Sequence, residues 1–183
     1  MLIGITGHTK GLGMELCQYF YHHSKHQVLG FSKENGYNLS NENMRNKLLR
    51  ACNRATVFIN LSNVYYHQTD LLLAFWNDWK NKDRLIINVT QDMPGGNLID
   101  YLQKKHFNTL FSTDEKEREL PDEDNISDLQ FMVQKHALDS MSEFLAQKNA
   151  KVQICNYTLS KENYSNDVEN LNKIIDDFQK TKS

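Results

Sequence analysis

Nowhere does the chain approach the ~20 consecutive apolar residues that a bilayer span needs. Its opening, "MLIGITG", has neither a basic leader region nor a small-residue cleavage site. A membrane span and a secretory leader are therefore not expected, and the cytoplasm is the expected compartment. Cysteine is scarce: Cys17, Cys52 and Cys155 are odd in number and far apart, which argues against a disulfide framework or zinc ribbon and predicts buried thiols. A large excess of one charge is also missing. With a formal net charge of -2 and scattered basic residues, the molecule has no bulk attraction to nucleic acid. No metal site is expected either. His22, His23 and His26 in "HHSKH" fall on different faces of a helix end with no carboxylate or thiolate spaced to join them, so they read as helix C-terminal charge.

What is present is enough apolar material for one core. The 183 residues are 39% hydrophobic and carry no low-complexity tract, which predicts a single domain over 1–183. "LIGIT" (2 to 6) is a short, branched apolar run and reads as a buried strand. "GLGMELCQYFYHH" follows with Leu12, Leu16, Tyr19, Phe20 and His23 at helical spacing. Further strands are expected at "QVLGFS", at a very short "YNL", at "TVFINL", at "RLIINV" and at "KVQICNY". Between them lie helices at "SNENMRNKLLRAC", capped by Ser40, at "TDLLLAFWNDWK", at "SDLQFMVQKHALDSMSEFLAQ" and finally at "DVENLNKIIDDFQK". Strands alternating with helices of this length predict an α/β fold: a doubly wound, Rossmann-like parallel sheet of about six to seven strands with helices on both faces.

"ITGHTKGLG" (5 to 13) closes the first strand with three glycines and opens the first helix. Side-chain-free turns at a helix N-terminus let a pyrophosphate approach backbone N–H groups, so the pattern points to dinucleotide binding. "TGHTKGLG" resembles the TGxxxGxG turn of the short-chain dehydrogenase/reductase family, with Thr6, Gly7, Gly11, Leu12 and Gly13 in register. "VFINLSN" resembles that family's NNAG segment with Asn60 kept and Leu61, Ser62 and Asn63 departing; "RLIINVTQ" resembles its IVNISS strand. "FMVQKHALDSMSEFLAQKNAKVQICNYTLS" resembles its YxxSKAAL helix and the strand behind, with Lys135 at the motif lysine and Phe131 at the tyrosine position.

The resemblance implies a nicotinamide coenzyme held by Gly7, His8, Thr9, Lys10, Gly11, Leu12 and Gly13, by Asn60, Leu61 and Ser62, and by Lys135. It also implies a proton-transfer site in which a phenol serves the substrate oxygen. Phenylalanine has no exchangeable proton, and the family's serine falls on Gln91, or on Thr90 if the alignment slips by one. "YLQKK" spells a rival YxxxK with Tyr101 and Lys105, but no long amphipathic helix and strand follow it. The inserted loop at about 92–125 is longer than the family's usual connection; folded over the site, it could bring Tyr101, His106 or an acidic side chain to the missing position.

Coenzyme preference is read at the end of the second strand. NAD-specific relatives carry a carboxylate there, whereas this chain offers Ser32 and Lys33, with Lys10 in the glycine turn. Two lysines can neutralise a 2′-phosphate, so the expected coenzyme is NADP(H) rather than NAD(H), with Glu34 one step along as a competing carboxylate. Leu72, Phe75, Trp76 and Trp79 read as core or a subunit interface, and the resemblance implies a homodimer. It further implies a compact member, because one helix follows "NYTLS" where relatives carry a substrate-covering segment. Two functions are expected from different classes: an NADP(H)-dependent oxidoreductase acting on a small carbonyl or alcohol, and a catalytically silent dinucleotide-binding protein with a regulatory or structural role.

Overall fold

The computed structural model describes residues 1–61, 66–91, 123–160 and 164–182. Strands and helices alternate through them: β1 (Leu2–Thr6), α1 (Gly11–His23), β2 (Gln27–Phe31), α2 (Glu42–Ala51), β3 (Val57–Asn60), α3 (His67–Trp79), β4 (Leu85–Gln91), α4 (Glu123–Ala146), β5 (Gln153–Leu159) and α5 (Tyr164–Lys180). The strands pair in parallel in the order β2-β1-β3-β4-β5. The expected doubly wound, Rossmann-like α/β architecture is therefore present.

Each central strand is apolar on both faces because helices cover both. Ile3, Ile5, Val57, Ile59, Leu85 and Ile87 pack with Leu12, Leu16 and Phe20 of α1 and Leu171, Ile175 and Phe178 of α5. On the other face Phe31, Phe58 and Ile86 pack with Leu48 of α2, Leu71, Leu72, Phe75 and Trp79 of α3, and Leu138 and Leu145 of α4. Phe58 and Phe75 stack with ring centroids 3.7 Å apart, and Trp79 meets Phe75 edge-on at 4.8 Å. Trp79 is fully buried, as a core reading requires.

Several expectations need correction. The described residues hold five strands, not six to seven. "YNL" is not a strand: after β2 the chain makes a short 3-10 turn at Lys33–Asn35 and leaves it through Gly36 in the left-handed region, φ 90°. Tyr37 and Leu39 are apolar because they pack into the core as coil; the Tyr37 ring lies 4.8 Å from Phe31, and Leu39 is buried. The cap of α2 is Asn41, whose side chain accepts from the Asn43 amide, rather than Ser40. Cys52 is buried, but Cys17 and Cys155 are only partly so. Helix α4 begins at Glu123, so the end of the expected 92–125 loop is helical; the remainder, with Tyr101, Lys105 and His106, lies outside the described residues. No helix among the described residues is long and apolar enough to cross a membrane.

The order of the strands places the site. β1 leads to β2 on one side and β3 leads to β4 and β5 on the other, so the direction of winding reverses between β1 and β3. In open α/β sheets, ligands bind outside the carboxyl ends of the strands at such a reversal. Two hydrogen bonds tie the strand ends there: the Leu61 amide donates to Thr6 Oγ1 at 2.9 Å across β3 and β1, and the Gly7 amide donates to the Phe31 carbonyl of β2 at 2.8 Å.

Candidate functional site

The glycine turn fills that reversal. Gly7 and Gly11 have positive φ, 70° and 50°, which side chains rarely tolerate, and they let the chain double back from β1 into α1. Gly13 serves a different purpose: a Cβ there would lie 2.2 Å from the Gly7 carbonyl oxygen, so only glycine allows α1 to seat against the turn. Leu12 beside it is buried in the core. The first turn of α1 has no acidic residue, and Lys10 at the cap position makes no side-chain capping bond. The end of α1 thus offers backbone donors and the positive end of the helix dipole without a counter-charge of its own.

Beside the turn lies a cleft of about 340 Å³ lined by Gly7, Thr9, Lys10, Ser32, Lys33 and Glu34 among others. Its far wall is the 3-10 turn after β2. Asn35 stitches that wall: its Oδ1 accepts from the Ser32 amide at 2.8 Å, and its Nδ2 donates to the Gly30 carbonyl at 2.8 Å. Ser32 is consequently buried, with its hydroxyl 3.4 Å from Asn35 Oδ1, while Lys33 stays exposed. Glu34 reaches back across the cleft. Thr9 Oγ1 donates to its Oε2 at 3.2 Å, and Lys10 Nζ stands 3.7 Å from its Oε1. Hydrogen bonds from its own backbone and Ser32, then from Thr9, with Lys10 nearby, hold the Glu34 carboxyl below its ordinary range. His8 turns elsewhere: its ring lies against β2, where a Cβ on Gly30 would meet its Cδ2 at 2.3 Å, and its Nδ1 is buried without a partner.

A second group of polar side chains sits at the ends of β3 and β4. Asn60 is fully buried and its amide bonds within the protein: Nδ2 donates to the Gln68 carbonyl at 2.8 Å and to Asn88 Oδ1 at 3.0 Å, while Oδ1 has no partner. Asn88 Nδ2 continues to Ser142 Oγ at 3.0 Å and Asn156 Oδ1 at 3.2 Å, and Asn156 Nδ2 donates to Asp139 Oδ1 at 3.2 Å. Lys135 is 3% exposed and donates to Gln68 Oε1 at 2.9 Å. Burial lowers its ammonium to about 8, opposed by the Asp139 carboxylate. Asp139 is raised by its own partial burial, with Lys135 pulling the other way. One turn before Lys135 on α4, the Phe131 ring centre lies 5.5 Å from the ammonium and gives it an apolar neighbour with no exchangeable proton.

The remaining candidates are dispersed. Thr90 is buried and its hydroxyl faces β5, 3.5 Å from the Tyr157 carbonyl and 3.4 Å from Thr158 Oγ1. Gln91 is the last residue of β4, in register with Leu159. Leu61 is partly buried against the α1 and α5 layer, and Ser62 lies outside the described residues. Two residues went unread in the sequence. Gln68 stands in "HQTD", a stretch that carries no chemical signal. Tyr164, the first residue of α5, approaches the glycine turn, since a Cβ on Gly11 would lie 3.8 Å from its ring. Among the described residues no three His, Cys, Asp or Glu are grouped to hold a metal ion.

No protein-family model matches the chain, and no curated protein sequence does. Solved structures do. A GDP-L-fucose synthetase from Naegleria fowleri superposes with a TM-score of 0.59 at 15% identity, over 86% of this chain and 49% of that one. A second structure of a GDP-L-fucose synthetase from the same organism, bound to NADP, gives 0.59 at 11% identity, over 86% of this chain and 52% of that one. A dTDP-4-dehydrorhamnose reductase from Clostridium acetobutylicum aligns less well, with a TM-score of 0.45 at 16% identity, over 95% of this chain and 60% of that one. The chain shares the fold of the two fucose synthetase structures and spans about half of their length.

Proposed function

We propose that this chain is an NADP(H)-dependent oxidoreductase acting on a small carbonyl or alcohol. The observation that carries the reading is the glycine turn itself: an uncapped, acid-free start of α1, seated by Gly13 against Gly7, at the reversal of the sheet and beside a cleft of about 340 Å³. Gly7, Gly11 and Gly13 would admit the diphosphate to the α1 amides, and Lys10 and Lys33 flank the cleft where a 2′-phosphate would be held. That one structural neighbour is bound to NADP agrees with this choice. When bound, the coenzyme supplies a hydride; the chain's own residues must orient the substrate and manage the proton. Lys135, with an ammonium near 8, holds an exchangeable proton close to neutral pH. Titrating the protein with NADPH and NADH tests the reading: saturable binding with NADPH preferred supports it, and a preference for NADH would reverse the coenzyme assignment.

A second reading is favoured by one observation. Phe131 offers no proton, and the amine beside it is engaged by Gln68, as a silent dinucleotide-binding protein with a regulatory or structural role would allow. Screening NADPH oxidation against a panel of small carbonyls beside a direct binding assay separates the two, because binding without turnover selects the silent protein. The family resemblance also leads us to infer a homodimer formed through α3 and α4, on which Trp76 is partly and Phe144 53% exposed. Light scattering at a dimer mass supports this, and a monomer mass removes it.

A further inference from the structure

We propose that Gln68 is the positioning residue for Lys135: its side-chain oxygen, locked in one orientation by the bonds of its own amide group, fixes where the amine stands. The inference concerns residues at the end of β3 and β4, and it touches the coenzyme reading only in its last arm.

The orientation is forced by the count of donors. Gln68 Nε2 has two hydrogens, and both are spent on strand carbonyls, Asn60 O at 2.7 Å and Val89 O at 2.9 Å. Rotating the amide by half a turn would set its NH2 group against the Lys135 ammonium and its oxygen against two carbonyls, so only Oε1 can face the amine. The backbone carbonyl of Gln68 in turn accepts from Asn60 Nδ2 at 2.8 Å, which ties the first turn of α3 to β3. β3 and β4 are in register as far as Asn60 opposite Asn88, and the Gln68 side chain bridges their carbonyls there as a ladder bond would. Gln68 is 4% exposed, so none of these bonds is exchanged cheaply for water.

Lys135 is therefore held to the sheet through α3, although it belongs to α4. The charged group acting on it is Asp139, one turn along its own helix; from α3 it meets Gln68, which does not titrate, and from α4 also the Phe131 ring. Holding by Gln68 leaves two of the three ammonium hydrogens uncommitted to it. A lysine on an unbraced stem would lose that aim, since its chain has four rotatable bonds.

The test uses the whole chain labelled with 15N. In the wild type, the Lys135 ammonium and the Gln68 side-chain amide should show a direct proton–proton contact by NMR. In Gln68→Glu the Lys135 titration should move up by about one pH unit, and in Gln68→Met it should move down, because an acceptor is strengthened in one and removed in the other. A folded variant in which that titration stays put overturns the proposal, including the case where stability alone falls. If both variants fail to fold, the wild-type contact decides, and its absence overturns the proposal. NADPH affinity is the last arm: a several-fold loss in Gln68→Met supports a role at the site. A wild type that binds no NADPH, yet shows the contact and the shifts, leaves Gln68 in place and defeats the coenzyme reading instead.

Discussion

Around the glycine turn, the site is made mostly of backbone: carbonyls, amides and three missing side chains set its shape, and they are contiguous in sequence from Gly7 to Gly13. At the ends of β3 and β4 it is made of side chains, Asn60, Gln68, Asn88, Lys135, Ser142 and Asn156, brought together from five different elements. The first region is local backbone geometry, the kind of arrangement that the proposed diphosphate site would use. The second is a polar network buried except at its Asn156 end, with Asn60 Oδ1 left without a hydrogen-bond partner. Backbone sites tolerate little change at their glycines but much at their side chains; networks behave the other way round.

The largest effect is expected at Gly13. Gly13→Val should abolish NADPH binding and cost several kcal/mol of stability, since the new side chain meets backbone that cannot yield; calorimetric titration and thermal unfolding read both. The network region responds to pH instead. Lys135 is lowered to about 8 in the folded chain from 10.5. Below pH 8 both folded and unfolded states hold the proton and the cost of the buried charge is present in full. Between about 8 and 10.5 only the unfolded state keeps it, so stability rises with pH, by up to about 3 kcal/mol. Lys135→Met should lack that rise when denaturant curves at the two ends of the window are compared, and an equal rise in the variant would place the titrating group elsewhere.

Smaller effects separate function from scaffold. Phe131→Tyr returns a proton-bearing group beside Lys135 and should raise any carbonyl reductase rate by ~10²-fold, the lower end of what a positioned acid contributes; an unchanged rate would favour the silent protein. Least of all, Glu34→Gln should tighten NADPH binding a few-fold and leave NADH unmoved. Glu34 stands over Lys10 at 3.7 Å and competes with a 2′-phosphate, but the pair is exposed and solvent screens it. Weakened NADH binding in that variant would make Glu34 a ribose ligand.

The two regions also differ in how far the sequence revealed them. "TGHTKGLG" carries its geometry in its glycines, and the apolar runs of β1, β3 and β4 carry theirs in composition, because both signals are local. "YNL" misled, since coil that plugs a core is as apolar as a strand, and only Gly36 in the left-handed region hints at the turn. The family resemblance singled out Lys135 and Asn60, but their bonding partners come only from the fold: Asn60 faces inward to Gln68 and Asn88, and Lys135 meets Gln68. Gln68 could not be read at all. A glutamine in the first turn of a helix is ordinarily a solvated residue, and this one is buried only because β3, β4 and α4 converge on it from distant parts of the chain.

The measurement closest to the centre of this account is a titration of the purified chain with NADPH, run beside the Gly13→Val variant. One saturating site in the wild type, lost in the variant, is the result that an anion cradle at the start of α1 requires. No binding in the wild type, or the same binding in both, would contradict it.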